Sequence, residues 1–166
     1  MRLPIIVSLA AMLLPAPVQA QSGWQGRLLA AHNAERAQWR LAPLQWDSSL
    51  AAAAASYAPV LGRIGRLEHS PADMRPGQGE NLWMGTRGAF SVDQMVGGWL
   101  SERTDFRPGV FPEVSRSANW PRVGHYTQIL WPTTTRVGCA IQSSPSWDFL
   151  VCRYSPAGNV FGSRVP

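Results

Sequence analysis

The chain has 166 residues, of which 45% are hydrophobic and 15% are charged. This balance is typical of one globular domain and excludes an intrinsically disordered chain. The 15 basic residues are all arginines and give a net charge of +5, but they are scattered and form no basic run. We therefore expect no nucleic-acid partner, and a chain without lysine cannot provide a P-loop lysine or a Schiff base.

Residues 1–20 carry the pattern of a cleavable secretory signal. Arg2 is followed by an apolar run over residues 3–14, and the segment ends on Val-Gln-Ala. The run is too short to cross a bilayer, and a leader of this kind is removed during export. We therefore predict a signal peptide at 1–20 and one domain over 21–166, exported to a periplasm or to the extracellular medium.

Three helices are predicted in the first two thirds of the chain. The first covers residues 25–40, where apolar side chains recur at helical spacing. The second begins after Asp47 or Ser48, either of which can cap it. The third begins at Ser91, which forms a capping box with Gln94. The apolar stripe of the second helix consists of Leu50, Ala54, Tyr57, Ala58 and Leu61.

A turn-rich loop and two strands are predicted in the last third. Residues 106–121 are rich in proline, glycine and serine, which indicates a long surface loop that walls a cavity. Residues 136–142 and 147–154 have strand-like patterns and are joined by a short turn. Antiparallel pairing about that turn places Cys139 opposite Cys152, so we predict a disulfide in an exported protein.

The three histidines, His32, His69 and His125, are candidate metal ligands or structural residues. A structural role is favoured for His32 because it lies within the first helix. His69 follows Glu68 in a loop and His125 lies in an aromatic-rich segment, so both are able to reach a shared pocket. Two histidines with acidic residues can hold Zn²⁺ and leave a position open, although the compact H-E-x-x-H spacing is absent. Spacing alone leaves both interpretations open.

Glu102 is predicted on the apolar face of the third helix, three residues after Trp99. A carboxylate on that face needs a partner, unless the helix ends near it and the side chain reaches water. Helical spacing alone favours the second interpretation, with Glu102 solvated beside Arg103.

Two strings of residues carry more specific information. The first is Gly-His-Tyr-Thr-Gln-Ile-Leu-Trp over residues 124–131, and the second is Phe-Leu-Val-Cys-Arg-Tyr-Ser-Pro-Ala-Gly-Asn-Val over 149–160. Further matches are His32-Asn33 with Arg36, Leu44-Gln45-Trp46-Asp47, Gly79-Glu80-Asn81-Leu82-Trp83 and Val137-Gly138-Cys139-Ala140. Together they resemble the CAP superfamily, which comprises cysteine-rich secretory proteins, antigen 5 and plant pathogenesis-related proteins. The resemblance extends from about residue 27 to the C-terminus.

The resemblance implies an α+β fold, a three-layer α-β-α sandwich with a small central antiparallel sheet and an open cleft. It also implies that two histidines and two glutamates meet in the cleft. Matched motif by motif, these are His69, Glu80, Glu102 and His125. We therefore predict His69 and His125 as metal ligands, and Glu80 and Glu102 as carboxylates that orient them or act in acid–base catalysis. In this interpretation Glu102 points into the cavity, whereas His32 still serves helix packing.

The function that the resemblance implies is that of a secreted CAP-domain protein whose His/Glu cleft binds a divalent metal, with zinc as the candidate. The protein would act by binding a ligand, a lipid or sterol, or a membrane surface. The alternative is a zinc-dependent hydrolase that cuts a peptide or ester bond in the same cleft. Whether the chain is an enzyme stays open.

The chain also departs from many eukaryotic relatives, which have three or more disulfides and a cysteine-rich tail. Ion-channel-blocking activities tied to that tail are therefore not implied. One cysteine pair, an all-arginine basic set and a short signal favour a bacterial exported member. Residues 156–166 resemble the C-terminal peptide that plant relatives release as a defence signal, but a final strand or tail packed beside the disulfide is the favoured interpretation.

Overall fold

The computed structural model describes residues 23–166, and the signal peptide predicted at 1–20 lies outside that range. The helices are α1 (Trp24–Gln38), α2 (Ser48–Ile64), α3 (Val92–Leu100) and α4 (Gly124–Ile129). The strands are β1 (Gln45–Trp46), β2 (Gly79–Thr86), β3 (Gly109–Val110), β4 (Arg136–Ser143), β5 (Trp147–Ser155) and β6 (Arg164–Val165). No helix formed by these residues combines the length and the apolarity that crossing a bilayer requires.

The helices cover both faces of one central sheet. On one face α2 packs against β4 and β5, where Tyr57 of the helix meets Phe149 and Val151 of the sheet in one apolar cluster. On the other face α1 and α3 bury Leu28 and Trp99 against the sheet. This arrangement confirms the predicted three-layer α-β-α sandwich, because each amphipathic helix buries its apolar face against the sheet.

The central sheet has the strand order β1-β4-β5-β2. Its three long strands are antiparallel, and the two-residue β1 adds a parallel edge beside β4. Cys139 of β4 lies directly opposite Cys152 of β5, and the two form a disulfide. The predicted hairpin and its cysteine pairing are therefore confirmed.

Capping side chains fix where α2 and α3 begin. Asp47 is the N-cap of α2, and its carboxylate accepts hydrogen bonds from the backbone N–H groups of Ser49 and Leu50. Ser91 and Gln94 form the predicted capping box at the start of α3. All five residues of the predicted α2 stripe are buried. Local sequence signals thus determine both helices.

The segment 106–121 differs from the predicted surface loop. Phe106, Phe111 and Val114 in this segment are buried in an apolar cluster of their own, and β3 within it pairs with β6. Three spaced apolar side chains fold inward and hold the segment; Ser115 is buried with them, while Arg107 and Arg116 face solvent. The prediction that this segment walls a cavity is confirmed at its end, since Trp120 lines a cavity.

A buried arginine ties α1 to the segment that follows α4. The Arg36 side chain is fully buried and donates to four backbone carbonyls. The acceptors are Ala42, Ile129, Trp131 and Thr134, at 2.8 to 3.2 Å. Because these bonds fix the C-terminal end of α4, they also fix where that short helix presents His125.

Candidate functional site

An open cleft of about 480 Å³ lies at the end of the sheet where β2 begins. Its walls come from the loop before β2, from residues 120–128 and from the segment after β5. The lining residues are His69, Arg75, Gly79, Glu80, Asn81, Trp120, Pro121, Gly124, His125, Gln128, Gly158 and Asn159. The cleft therefore contains three of the four predicted site residues, His69, Glu80 and His125.

His69 is oriented by a buried carboxylate. Its Nδ1 lies 2.7 Å from Glu80 Oε1, and the Glu80 side chain is 1% exposed. Glu80 also accepts hydrogen bonds from the backbone N–H and the hydroxyl of Ser70, both at 3.0 Å, and pairs with Arg153 at 3.1 Å. Burial by itself would raise the pKa of Glu80, but the bond from His69 and the charge of Arg153 outweigh it and hold the pKa below its usual value. Glu80 is therefore ionised at neutral pH.

His125 is held in the same manner by Glu102. Its Nδ1 lies 2.5 Å from Glu102 Oε1. Glu102 Oε2 accepts hydrogen bonds from the backbone N–H groups of His125 and Tyr126, at 3.1 and 3.0 Å. The Trp99 ring stacks on the His125 ring. Glu102 thus lies behind His125 and is not among the residues that line the cleft.

The structure resolves the two interpretations of Glu102. Helix α3 ends at Leu100, and Glu102 lies in a 3₁₀ turn over Ser101–Thr104. The helix therefore does end before Glu102, yet the side chain is only 16% exposed because His125 and Tyr126 cover it. A carboxylate at a helix end has found partners from a distant segment, which helical spacing alone did not indicate.

His32 does not line the cleft and belongs to a buried network. Its Nδ1 lies 2.8 Å from the Leu28 carbonyl and its Nε2 lies 2.8 Å from the Tyr154 hydroxyl. Asn81 joins this network by donating to the Tyr154 hydroxyl and to the His125 carbonyl. Burial, assisted by the charge of Arg36, lowers the pKa of His32 to about 4. The favoured structural role of His32 is the one it has.

The segment after β5 forms one wall of the cleft. The Gly158 N–H donates to Gln128 Oε1 at 2.9 Å, and the Asn159 side chain donates to the Gly124 carbonyl at 2.9 Å. Gly158 and Gly79 both pack against the Gln128 side chain, since a Cβ at Gly158 would lie 2.8 Å from Gln128 Nε2 and a Cβ at Gly79 would lie 1.9 Å from Gln128 Oε1. The tail is packed into the fold, where β6 pairs with β3.

Nine of the twelve residues that line the cleft were given no role by sequence reasoning, among them Arg75, Trp120, Gln128 and Asn159. Gln128 and Asn159 lie within the two quoted strings, so the signal was present but no role was assigned. Trp120 falls in the segment predicted as a wall. Arg75 gave no signal, because it lies in a loop without periodicity.

The donor set available to a metal ion consists of two imidazole nitrogens. Both carboxylates accept hydrogen bonds from backbone N–H groups, so Nδ1 of His69 and of His125 is assigned as the donor to its carboxylate, which in the neutral ring leaves Nε2 with its lone pair. This carboxylate–histidine arrangement is the one that orients metal-ligating histidines. Over residues 23–166, no group of three or more His, Cys, Asp or Glu side chains is placed to share an ion. The residues fit a metal held by two histidines, with its remaining positions open to water or ligand.

Comparison with known proteins agrees with the fold. The model of the cysteine-rich secretory protein family, CAP, matches residues 29–154. The chain is 37% identical over 135 residues to the pathogenesis-related protein PR-1 type of Sambucus nigra, which covers 81% of this chain and 77% of the relative. It is 36% identical over 137 residues to pathogenesis-related leaf protein 4 of Solanum lycopersicum, covering 82% and 79%. These relatives are plant proteins, so a bacterial source stays a prediction.

A solved structure has the same architecture. The crystal structure of NaASP2 with Zn²⁺ superposes with a TM-score of 0.72 and 23% sequence identity, covering 89% of this chain and 87% of that one. At this level of identity the likeness extends to the fold alone. It supports the three-layer sandwich described above.

Proposed function

From the premise that this chain belongs to the cysteine-rich secretory protein (CAP) family, we propose that it is an exported binding protein whose cleft holds a divalent metal, zinc as the candidate, through His69 and His125. The observation that carries the proposal is the matched pair of contacts His69–Glu80 and His125–Glu102. Each contact fixes one ring nitrogen as a donor and leaves the other as a ligand. Two such histidines line one cleft, where they are able to act on one ion.

A bound ion would supply a positive, Lewis-acidic centre that attracts electron pairs of a ligand. The chain's own residues do the remaining work. Glu80 and Glu102 hold the rings in place, Trp99 stacks against one of them, and the walls around Trp120 and Gln128 shape the space for the ligand. A crystal structure of NaASP2 holds Zn²⁺, which makes zinc the first ion to test here.

We favour binding over hydrolysis because neither carboxylate is free to serve as a base. Glu80 shares its two oxygens among His69, Ser70 and Arg153. One oxygen of Glu102 contacts the His125 ring, and the other accepts hydrogen bonds from two backbone N–H groups. A general base must reach the proton that it removes, and both carboxylates are committed to positioning. These contacts support binding as the proposed role, with hydrolysis as the alternative.

The disulfide supports export as part of this proposal. Disulfides persist in oxidising compartments, and the Cys139–Cys152 bond joins the two central strands of the sheet. A periplasmic or extracellular location, in a bacterial host, is consistent with that chemistry and with the leader predicted at 1–20.

Titration calorimetry of zinc into metal-stripped protein tests the proposal. We expect one ion per chain, binding at least tenfold weaker in His69→Ala and in His125→Ala, and no binding in the double variant. Glu68→Ala serves as the control, since Glu68 is an exposed neighbour of His69 that does not line the cleft. Absence of zinc binding in the parent, or unchanged binding in the double variant, would overturn the proposal.

A further inference from the structure

Arg75 is a charged side chain of the cleft wall that has no acidic partner. Its Nε donates to the Ser70 carbonyl at 3.0 Å and its Nη1 to the Gln78 carbonyl at 3.4 Å. None of the ion pairs formed within residues 23–166 includes Arg75. Within the described residues its side chain is therefore held by two backbone carbonyls and by no carboxylate.

Glu80, the acidic residue that lines the cleft, is already paired with another arginine. Arg153 is buried, pairs with Glu80 at 3.1 Å and lies over the Tyr57 ring. Burial lowers the pKa of Arg153, Glu80 opposes this, and the positive charge of Arg75 adds to the lowering. Arg75 and Arg153 thus lie close enough to repel each other. The only carboxylate that pairs with either of them in the described residues is Glu80, which leaves one positive charge unpaired.

The hydrogen-bonding capacity of Arg75 is only partly used. A guanidinium carries five N–H groups in a planar fork, and Arg75 spends two of them on backbone carbonyls of the described chain. The other three remain for a ligand in the cleft. A planar fork with spare donors matches the oxygens of a phosphate or carboxylate.

We propose that Arg75 recognises a phosphate monoester group on the ligand of the cleft. The inference rests on the proposed function of the cleft as a binding site and names the chemistry of what is bound there. The cleft wall has one unpaired positive charge and lies beside the proposed site for a divalent cation. A ligand group with two negative charges, such as a phosphate monoester, therefore suits it better than a carboxylate group with one. The cleft volume of about 480 Å³ exceeds what a phosphate group fills, so the cleft has room for a larger molecule that carries the group at one end.

Nuclear magnetic resonance titration of phenyl phosphate into metal-stripped protein tests this assignment. We expect the side-chain amide signals of Gln128 and Asn159, which line the same cleft, to shift with the added probe. Arg75→Gln should weaken binding about tenfold or more, because a charge-assisted hydrogen bond is lost. Arg63→Gln is the matched control, since it removes the same charge from an exposed position at the end of α2. The proposal fails if the parent does not bind, or if the two variants bind alike.

A second variant separates recognition from loop structure, because Arg75 also holds the carbonyls of Ser70 and Gln78. Arg75→Lys keeps the charge but replaces the planar fork with a single ammonium group, so we expect an affinity between those of the parent and Arg75→Gln, with the salt dependence of the parent. A lysine variant that binds no more tightly than Arg75→Gln would show that the charge at this position does not hold the probe, and would overturn the proposal. Zinc titration of the parent without phosphate distinguishes the two proposals. A parent that binds phenyl phosphate but no zinc would overturn the proposed metal site and leave the phosphate site supported.

Vesicles then assign the source of the phosphate group. Phosphatidylcholine vesicles with and without phosphatidic acid are compared for the parent and Arg75→Gln. Binding that needs both phosphatidic acid and Arg75, and that phenyl phosphate displaces, supports the site and identifies a lipid headgroup. Binding of phenyl phosphate without any vesicle binding supports the same site and identifies a soluble phosphate ester.

Discussion

The indole ring of Trp99 lies flat against the imidazole of His125, with ring centroids 5.8 Å apart and planes inclined by 19°. The indole N–H is anchored on the Leu82 carbonyl at 3.1 Å, so β2 holds the Trp99 ring in place. The same ring meets His32 edge-on. Trp99 therefore connects the buried network of His32 with the His125 ring, in addition to the hydrogen bonds of Asn81 to Tyr154 and to the His125 carbonyl.

Removing this ring should loosen His125 and weaken metal binding. For Trp99→Leu we expect a loss of about 3 kcal/mol in the free energy of unfolding, because the side chain is 2% exposed, and about a tenfold loss of zinc affinity. Calorimetric titration at a temperature where the variant is folded measures the affinity. Trp147→Leu, which changes a half-exposed tryptophan, is the control. An unchanged zinc affinity in folded Trp99→Leu would contradict the positioning role.

The Glu80–Arg153 pair should be costly to break and cheaper to replace. Glu80→Gln leaves the Arg153 charge buried without compensation, and we expect a loss of about 3 to 5 kcal/mol in the free energy of unfolding. In the double variant Glu80→Gln/Arg153→Met, which removes both charges, most of that loss should be recovered. Denaturant unfolding of the parent and the variants measures this. A double variant no more stable than Glu80→Gln would argue against the charge explanation.

Stability should fall with pH below neutrality because of His32. The pKa of His32 is about 4 in the folded chain, below its ordinary value of 6.5. Between pH 6.5 and pH 4 the unfolded chain therefore binds a proton at His32 that the folded chain does not bind. Stability is therefore complete above pH 6.5 and declines as the pH falls toward 4, by roughly 3 kcal/mol from this residue. Denaturant unfolding from pH 7 to 4.5 measures the slope. The slope should be shallower in His32→Gln, and an equal slope would exclude His32 as its source.

The disulfide should stabilise the fold by closing a loop in the unfolded chain. Cys139 and Cys152 are 13 residues apart, for which the loop-entropy model gives about 3 kcal/mol. We expect the double variant Cys139→Ala/Cys152→Ala to lose about that amount in denaturant unfolding. Thiol titration of the unreduced, denatured parent should find no free thiol, and two thiols would contradict the bond.

Short-range signals in the sequence predicted most of the framework. Asp47 and Ser91 cap helices because their side chains accept backbone N–H groups two or three residues ahead, which is visible in the local sequence. The hairpin around Cys139 and Cys152 follows from alternation and a short turn. β2 was not predicted, because Gly79 and Glu80 interrupt the apolar pattern where the strand runs into the cleft.

The candidate site could not be predicted from local signals, because its residues lie far apart in the chain. Glu80 meets Arg153 because β2 and β5 pair in one register, and a strand that was not predicted cannot be placed in register. His69 and His125 were assigned through the matched motifs, whereas their spacing gave no distance. The role of Arg75 depends on a wall that forms only after the loop before β2 has folded over Arg153, so no local pattern marks it.

The hydrogen bond from Gly158 to Gln128 places a segment that follows both histidines in the chain in the wall of the cleft, and the pairing of β6 with β3 holds the residues after it. His69 and His125 therefore emerge from the ribosome before the segment that completes their surroundings. Because closing such long-range contacts is slow, the cleft should be among the late features to form during folding. A chain synthesised only as far as His125 has no finished cleft, so the proposed metal and ligand can bind only after Gly158 and the residues around it are available to fold.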